Sequence, residues 1–208
     1  WICPKEDMGS VCPVFWKEFS CPKPVIKAEM WLTALGVYEA RLNGQRVGDY
    51  VLAPGWTAYE KRLQYQQYDI TKLLQENNSI TVTVGRGWMR SRIGLGDIEG
   101  RMRQPCGILG AIHILYYDGS EDIVHTDSSW VCAESGTRFS EIYDGEIHDA
   151  TFEPENWQSV RVLSWPKEIL IPQEGDEIRE MERVSAKSVI ITPRGETVVD
   201  FGQEVTGY

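Results

Sequence analysis

One repeated feature constrains this chain more than any other. Short apolar runs of period two recur along it, each broken by a two- or three-residue turn signal. Ile80, Val82 and Val84 alternate with Thr81 and Thr83, the pattern of a strand with one face in a core. Val37 to Leu42 runs into Asn43-Gly44 and resumes at Gln45 to Val47. Asn-Gly between two such runs predicts a type I′ hairpin, because that turn needs positive φ at both central positions. Ile108 to Tyr117 ends at Asp118-Gly119, and Ser120 to Thr126 returns from it. The first of these runs is apolar on both faces, which predicts a central place in a sheet. Val189 to Thr192 and Thr197 to Phe201 flank Pro193-Arg194-Gly195, a third hairpin. Helix signals are scarce. The best is Ile70 to Gln75, with Asp69 placed to cap it and Asn77-Asn78 to end it. Many short strands with frequent Gly and Pro predict an all-β sandwich.

The texture changes near residue 165. Before it, strands and turn signals are dense. From Pro166 to Arg183 the chain is acidic and less regular, and β-like text resumes after Val184. This predicts a sandwich over 1–165, then a linker and the first strands of a second, incomplete β domain over 166–208. A length of 208 residues accommodates one domain and part of another.

Charge narrows the partners. There are 21 basic and 31 acidic side chains, a net charge of −10. Nucleic-acid backbones and anionic membranes both select a basic face, so neither is expected as a partner. No run is long and apolar enough to span a bilayer as a helix. The cysteines are five, Cys3, Cys12, Cys21, Cys106 and Cys132, with no C-x-x-C pair. With only His113, His125 and His148 beside them, the spacing suggests no zinc site. They read as reduced, mostly buried thiols, with a disulfide among the first three as the alternative in an oxidising compartment. The opening Trp1-Ile2-Cys3-Pro4 is not a signal segment. The expected compartment is the cytoplasm, with export after signal removal as the alternative.

Three clusters could carry chemistry. Residues 54–69 place Trp56, Tyr59, Tyr65 and Tyr68 beside Lys61, Arg62 and Asp69. Residues 85–94 set Arg86, Trp88, Arg90 and Arg92 between glycines, and residues 142–150 hold Tyr143, Asp144, Glu146, His148 and Asp149. Sugars are bound by such sets, because flat rings stack on pyranose C–H faces while Arg and carboxylates take the hydroxyls. Trp56, Tyr59, Arg62, Trp88, Arg90, Tyr143, Asp144 and Glu146 are therefore the candidate carbohydrate-binding residues. Tyr65 and Tyr68 suit a core better, and Trp56 and Trp88 suit either binding or domain packing. On a strand, Asp144 and Glu146 would share one face about 6.5–7 Å apart, near the roughly 6.5–9.5 Å carboxyl separation of inverting glycosidases. Asp144-Gly145 also reads as a turn, which would void that spacing. Carboxylates close in sequence suit calcium too, but no metal ligand is assigned and no cofactor is expected. Gly85-Arg86-Gly87 lacks phosphate-loop spacing, and no nucleophile–base order stands out.

At these motifs the chain resembles a known family. LGVYEARLNGQRVGD (35–49) and LAPGWTAYEKRLQYQQYDIT (52–71) look like the N-terminal region of bacterial α-L-rhamnosidases. GRGWMRSRIG, YYDGSEDIVHTDSSW (116–130) and IYDGEIHDA follow in that family's order, and the closing VVDFGQEVTGY (198–208) resembles the opening of its next β-sandwich domain. The resemblance implies large multidomain enzymes that hydrolyse terminal α-L-rhamnose with inversion, using carboxylates in an (α/α)6 barrel further downstream. It implies a jelly-roll-like β-sandwich here, similar to galactose-binding domains, and in some members a related module that binds L-rhamnose with calcium. No stretch of this chain resembles the barrel. The implied role is an N-terminal module, inactive alone, whose partners are the downstream catalytic domain and a rhamnosylated glycoside. An independent rhamnose-binding module is the alternative. This chain departs from the family at Arg86 and Met89, where Gly-Asp-Gly-Trp-Tyr is usual, at His148 in place of a second Tyr, and at Glu204 in place of Asn.

Overall fold

The computed structural model describes residues 1–92 and 104–205. Ile93 and Gly94 of the second cluster, and Thr206 to Tyr208 of the closing motif, lie outside the described residues. The strands in chain order begin with β1 (Ile2–Cys3), β2 (Pro13–Ser20), β3 (Val25–Ala34), β4 (Val37–Leu42), β5 (Gln45–Arg46) and β6 (Leu63–Asp69). They continue with β7 (Asn77–Gly85), β8 (Ile108–Tyr116), β9 (Glu121–His125), β10 (Val131–Glu134), β11 (Thr137–Glu141) and β12 (Gly145–His148). The last are β13 (Gln158–Ser159), β14 (Arg161–Val162), β15 (Leu170–Pro172), β16 (Ser188–Ile191) and β17 (Thr197–Asp200).

Two sheets make the sandwich. The first has the order β14-β1-β8-β3-β6-β15, with β9 also on β8. The second has the order β13-β10-β2-β7-β4-β5. Alternation sets which faces meet. On β7 the side chains of Asn78, Ile80, Val82 and Val84 are buried while Ser79, Thr81 and Thr83 are only half-buried. Phe15, Leu42, Ile80 and Val82 of the second sheet pack in one cluster with Met30, Leu32, Ile112 and Ile114 of the first. β8 lies centrally, between β1 and β9 on one side and β3 on the other.

The turn signals act as the sequence predicts. Asn43 and Gly44 take φ of 53° and 77°, the left-handed pair that a two-residue hairpin needs. Asp118-Gly119 joins β8 to β9, and Pro193-Arg194-Gly195 joins β16 to β17. The predicted helix at 70–75 is a single 3-10 turn, Thr71–Leu73. Asp69 Oδ1 accepts from Thr71 N (2.9 Å) and closes that turn, and the Asn78 side chain bonds both N and O of Gln75, leading the chain into β7. Asp144 and Glu146 do not share a strand. β12 begins at Gly145, which takes a φ of 79° opposite Glu141, so Asp144 sits in the 142–144 turn of the β11–β12 hairpin.

The chain divides into two compact units, Trp1–Ile178 and the segment from Arg179 onward. The segment 166–178, expected as linker, belongs to the first unit. β15 pairs in parallel with β6, Leu170 opposite Leu63, and Ile169 and Leu170 pack on the Trp1, Leu35, Leu63 and Met89 cluster. In the second unit β16 and β17 form a hairpin whose apolar side chains are all exposed, Val189, Ile190, Ile191, Val198 and Val199 among them. Among the described residues no helix is long and apolar enough to cross a membrane.

Candidate functional site

Three loops converge at one end of the sandwich. Tyr38 N donates to Ala53 O (2.9 Å), which ties the 53–62 loop to the start of β4. Arg86 N donates to Ser140 O (3.2 Å), which ties the 86–92 loop to the end of β11. A Cβ on Gly87 would lie 2.6 Å from Val37 Cγ1, so only glycine admits this approach of the 86–92 loop to β4.

The first two loops bring Trp56 and Trp88 together. Their rings lie 6.2 Å apart between centroids and 7° from parallel, a stacked pair. Trp56 is 67% exposed, while Trp88 is half-buried beneath it. The loop under Trp56 is braced from within. Tyr59 Oη donates to Gly55 O (3.0 Å), and the buried Gln64 and Gln66 amides both donate to Pro54 O. Burial pushes the Tyr59 phenol well above its ordinary pKa, so it stays a neutral donor. Arg62 is exposed and faces Glu174 at 3.6 Å.

The second and third loops are joined through Arg92. Its Nε and Nη2 donate to the two oxygens of Asp144 at 2.9 and 2.5 Å, a bidentate pair. The same guanidinium lies over the exposed Tyr143 ring, 5.7 Å from its centroid. The hydrogen bonds from Arg92 hold the Asp144 carboxyl below its usual range.

Beneath this pair is a residue that sequence reasoning missed. Glu141 is 6% exposed, a carboxylate inside the protein. Its Oε1 accepts from Ser91 Oγ and from Arg92 N (3.2 Å), and its Oε2 from Tyr143 N (2.6 Å) and Asp144 N (3.1 Å). Burial alone would raise its pKa, but the donors outweigh burial and hold it below the ordinary value. It fixes the backbone of both loops. Glu141 closes the strand TRFSE as its one buried residue, and nothing adjacent in sequence names its partners.

The remaining candidates lie elsewhere. Arg90 lines a cavity beside the N-terminal segment. Glu146 is exposed on β12, along a groove of about 570 Å³ that Glu39, Arg41 and His148 also line. The structure thus brings together Trp56 with Trp88, and Tyr143 with Asp144, while Arg90 and Glu146 face different recesses. Tryptophans outside these clusters pack elsewhere. Trp1 is buried, Trp16 packs on Trp157 at 5.4 Å, and Trp165 packs beside Trp1.

All five cysteines are free and buried. Burial pushes the thiols up, Cys12 and Cys132 to about 11 and Cys106 to about 12. Among the described residues no three His, Cys, Asp or Glu side chains converge to hold a metal.

The fold and the loops define a class: an all-β sandwich module that presents stacked aromatics and an Arg–carboxylate–Tyr set at one end. Residues 23–182 match the family described as the α-L-rhamnosidase N-terminal domain, and the chain belongs to that family. It is 30% identical to an α-L-rhamnosidase of Alteromonas sp. (strain LOR) over its whole length, which is 25% of that relative. The crystal structure of native α-L-rhamnosidase from Aspergillus terreus matches at a TM-score of 0.85 and 36% identity, over 97% of this chain and 25% of that one. The Streptomyces avermitilis α-L-rhamnosidase complexed with L-rhamnose matches at 0.82 and 31%, over 94% of this chain and 20% of that one. The chain spans about a fifth to a quarter of the length of these relatives.

Proposed function

We propose that this chain serves as the N-terminal accessory module of a larger α-L-rhamnosidase, packing on a downstream catalytic domain and contacting a rhamnosylated glycoside. The observation that carries the reading is the asymmetry of coverage. The relatives account for nearly all of this chain, and this chain for about a quarter of them or less. The chemistry supports it too. Asp144 is in a turn and paired with Arg92, so the carboxylates weighed for acid–base work do not stand together. The contact surface in this reading is Trp56 over Trp88, flanked by Tyr143, Arg92 and Asp144. Strands β16 and β17 are then the first of a further β domain, because a hairpin apolar on both faces is covered on both faces in a folded protein.

Two measurements test the reading. Incubated alone with an aryl α-L-rhamnoside, the chain is expected to give no turnover. In the complete polypeptide, Trp56→Ala combined with Trp88→Ala is expected to lower kcat/KM or thermal stability. If both are unchanged, this surface has neither role. Saturable heat on titrating the chain alone with L-rhamnose, with or without calcium, would favour a self-sufficient binding module instead.

A further inference from the structure

The N-terminal segment, the 104–106 stretch and residues 161–165 enclose a cavity of about 440 Å³, separate from the Trp56–Trp88 pair. Its lining carries Lys5, Arg90, Arg161 and Trp165, with Glu6 and Asp7 also present. Arg90 is the unusual group. Its Nε is buried without a hydrogen-bond partner, and among the described residues no carboxylate forms an ion pair with it. Its titratable neighbours are the thiols of Cys12 and Cys106. Burial holds these at about 11 and about 12 even with the guanidinium pulling the other way, so they supply no counter-charge at neutral pH. The indole Nε1 of Trp165 is a second buried donor with no acceptor. A buried guanidinium Nε and a buried indole N–H, neither with an acceptor among the described residues, line one cavity, where the Cys106 thiol is the guanidinium's one described side-chain hydrogen-bond partner. Native proteins rarely leave such groups unpaired.

We propose that this cavity binds a small monoanion, a carboxylate or sulfate group carried on a monosaccharide-sized molecule. Arg90 and Arg161 are its charge partners, and Lys5 and Trp165 supply further donors. A guanidinium fork suits two oxygens of one such group, and the volume lies in the range of small-molecule sites, about 300–1,000 Å³. Glu6 and Asp7 set the charge limit. Asp7 Oδ1 is already engaged by Gly9 N (3.0 Å), and the two carboxylates disfavour a dianion such as phosphate. The inference uses none of the residues on which the accessory-module reading rests.

The test is calorimetric titration of the whole chain at fixed ionic strength. The titrants are sodium glucuronate, a monosaccharide sulfate, and glucose as the neutral control. Saturable heat is expected from at least one anion and none from glucose, and the better anion identifies the group. Arg90→Met is expected to weaken that binding about ten- to hundredfold, and to raise the melting temperature of the ligand-free protein by removing a buried donor that lacks an acceptor. Arg161→Gln and Lys5→Met give the same readout from exposed positions if Arg90→Met fails to fold. Anion heats no larger than those of sodium chloride, equal binding of glucose, or unchanged affinity in the folded variants would overturn the proposal.

Discussion

Glu141 shows how one side chain can hold a surface it does not itself present. Its four donors come from Ser91, Arg92, Tyr143 and Asp144, so both loops are pinned to a single carboxylate. The charged form is the one those donors stabilise. Its folded pKa lies below the ordinary 4.5, so its stabilising contribution is complete above that value and is lost as pH falls through the folded pKa. Glu141→Gln is therefore expected to melt lower than the parent near pH 7, with the gap closing below pH 4.5; thermal unfolding at several pH values checks this. Asn43 is a second case. Beyond its turn conformation, its Nδ2 donates to Leu73 O and to Asn78 Oδ1, both at 2.9 Å, and its Oδ1 accepts from Ser79 N at 2.9 Å. Asn43→Ala leaves the buried Asn78 short of a donor and is expected to cost about 2–3 kcal/mol by urea denaturation. The sequence marks Asn43 as a turn residue and says nothing of these bonds, because their partners lie 30 and more positions away.

At the scale of elements, what was legible is what is local. The hairpins at 43–44, 118–119 and 193–195 announce themselves because turn chemistry and flanking alternation lie within a dozen residues. The β15 pairing was not legible, since Leu170-Ile171-Pro172 is a three-residue strand whose partner lies more than a hundred positions earlier. The Arg92–Asp144 pair is hidden in the same way, 52 residues apart. Trp56 and Trp88 were singled out separately, but only the fold shows them stacked. Two left-handed glycines on either side of β5 make a matched test. A Cβ on Gly44 meets nothing within 4 Å, so Gly44→Ala is expected to cost only the left-handed backbone penalty, about 1–2 kcal/mol. A Cβ on Gly48 would lie 2.5 Å from the ring of Tyr68, whose hydroxyl bonds Tyr38 at 2.9 Å in the core. Gly48→Ala is expected to destabilise clearly more than Gly44→Ala in the same denaturation assay.

The whole molecule carries its own expectations. Because β15 and its neighbours complete the first unit, residues 1–178 are expected to melt about 5–10 °C above residues 1–165, which lose Ile169, Leu170 and a strand pairing. Circular dichroism on the two lengths decides it. The buried thiols give a second check. With Cys12 and Cys132 at about 11 and Cys106 at about 12, an aromatic disulfide reagent at pH 8 is expected to label the native chain slowly and all five cysteines rapidly in denaturant.

The placement of β1 reaches into how such a chain is made. Ile2 lies opposite Ile108 on one side and Val162 on the other. This strand thus waits for partners synthesised more than a hundred residues later. The first sheet stays open along that seam until the 161–162 strand emerges, so it closes late and through long-range pairings, the slow kind. Until then, apolar strand edges remain available to neighbouring nascent chains. Yield in a cell is set by how fast that seam shuts as much as by how stable it is once shut.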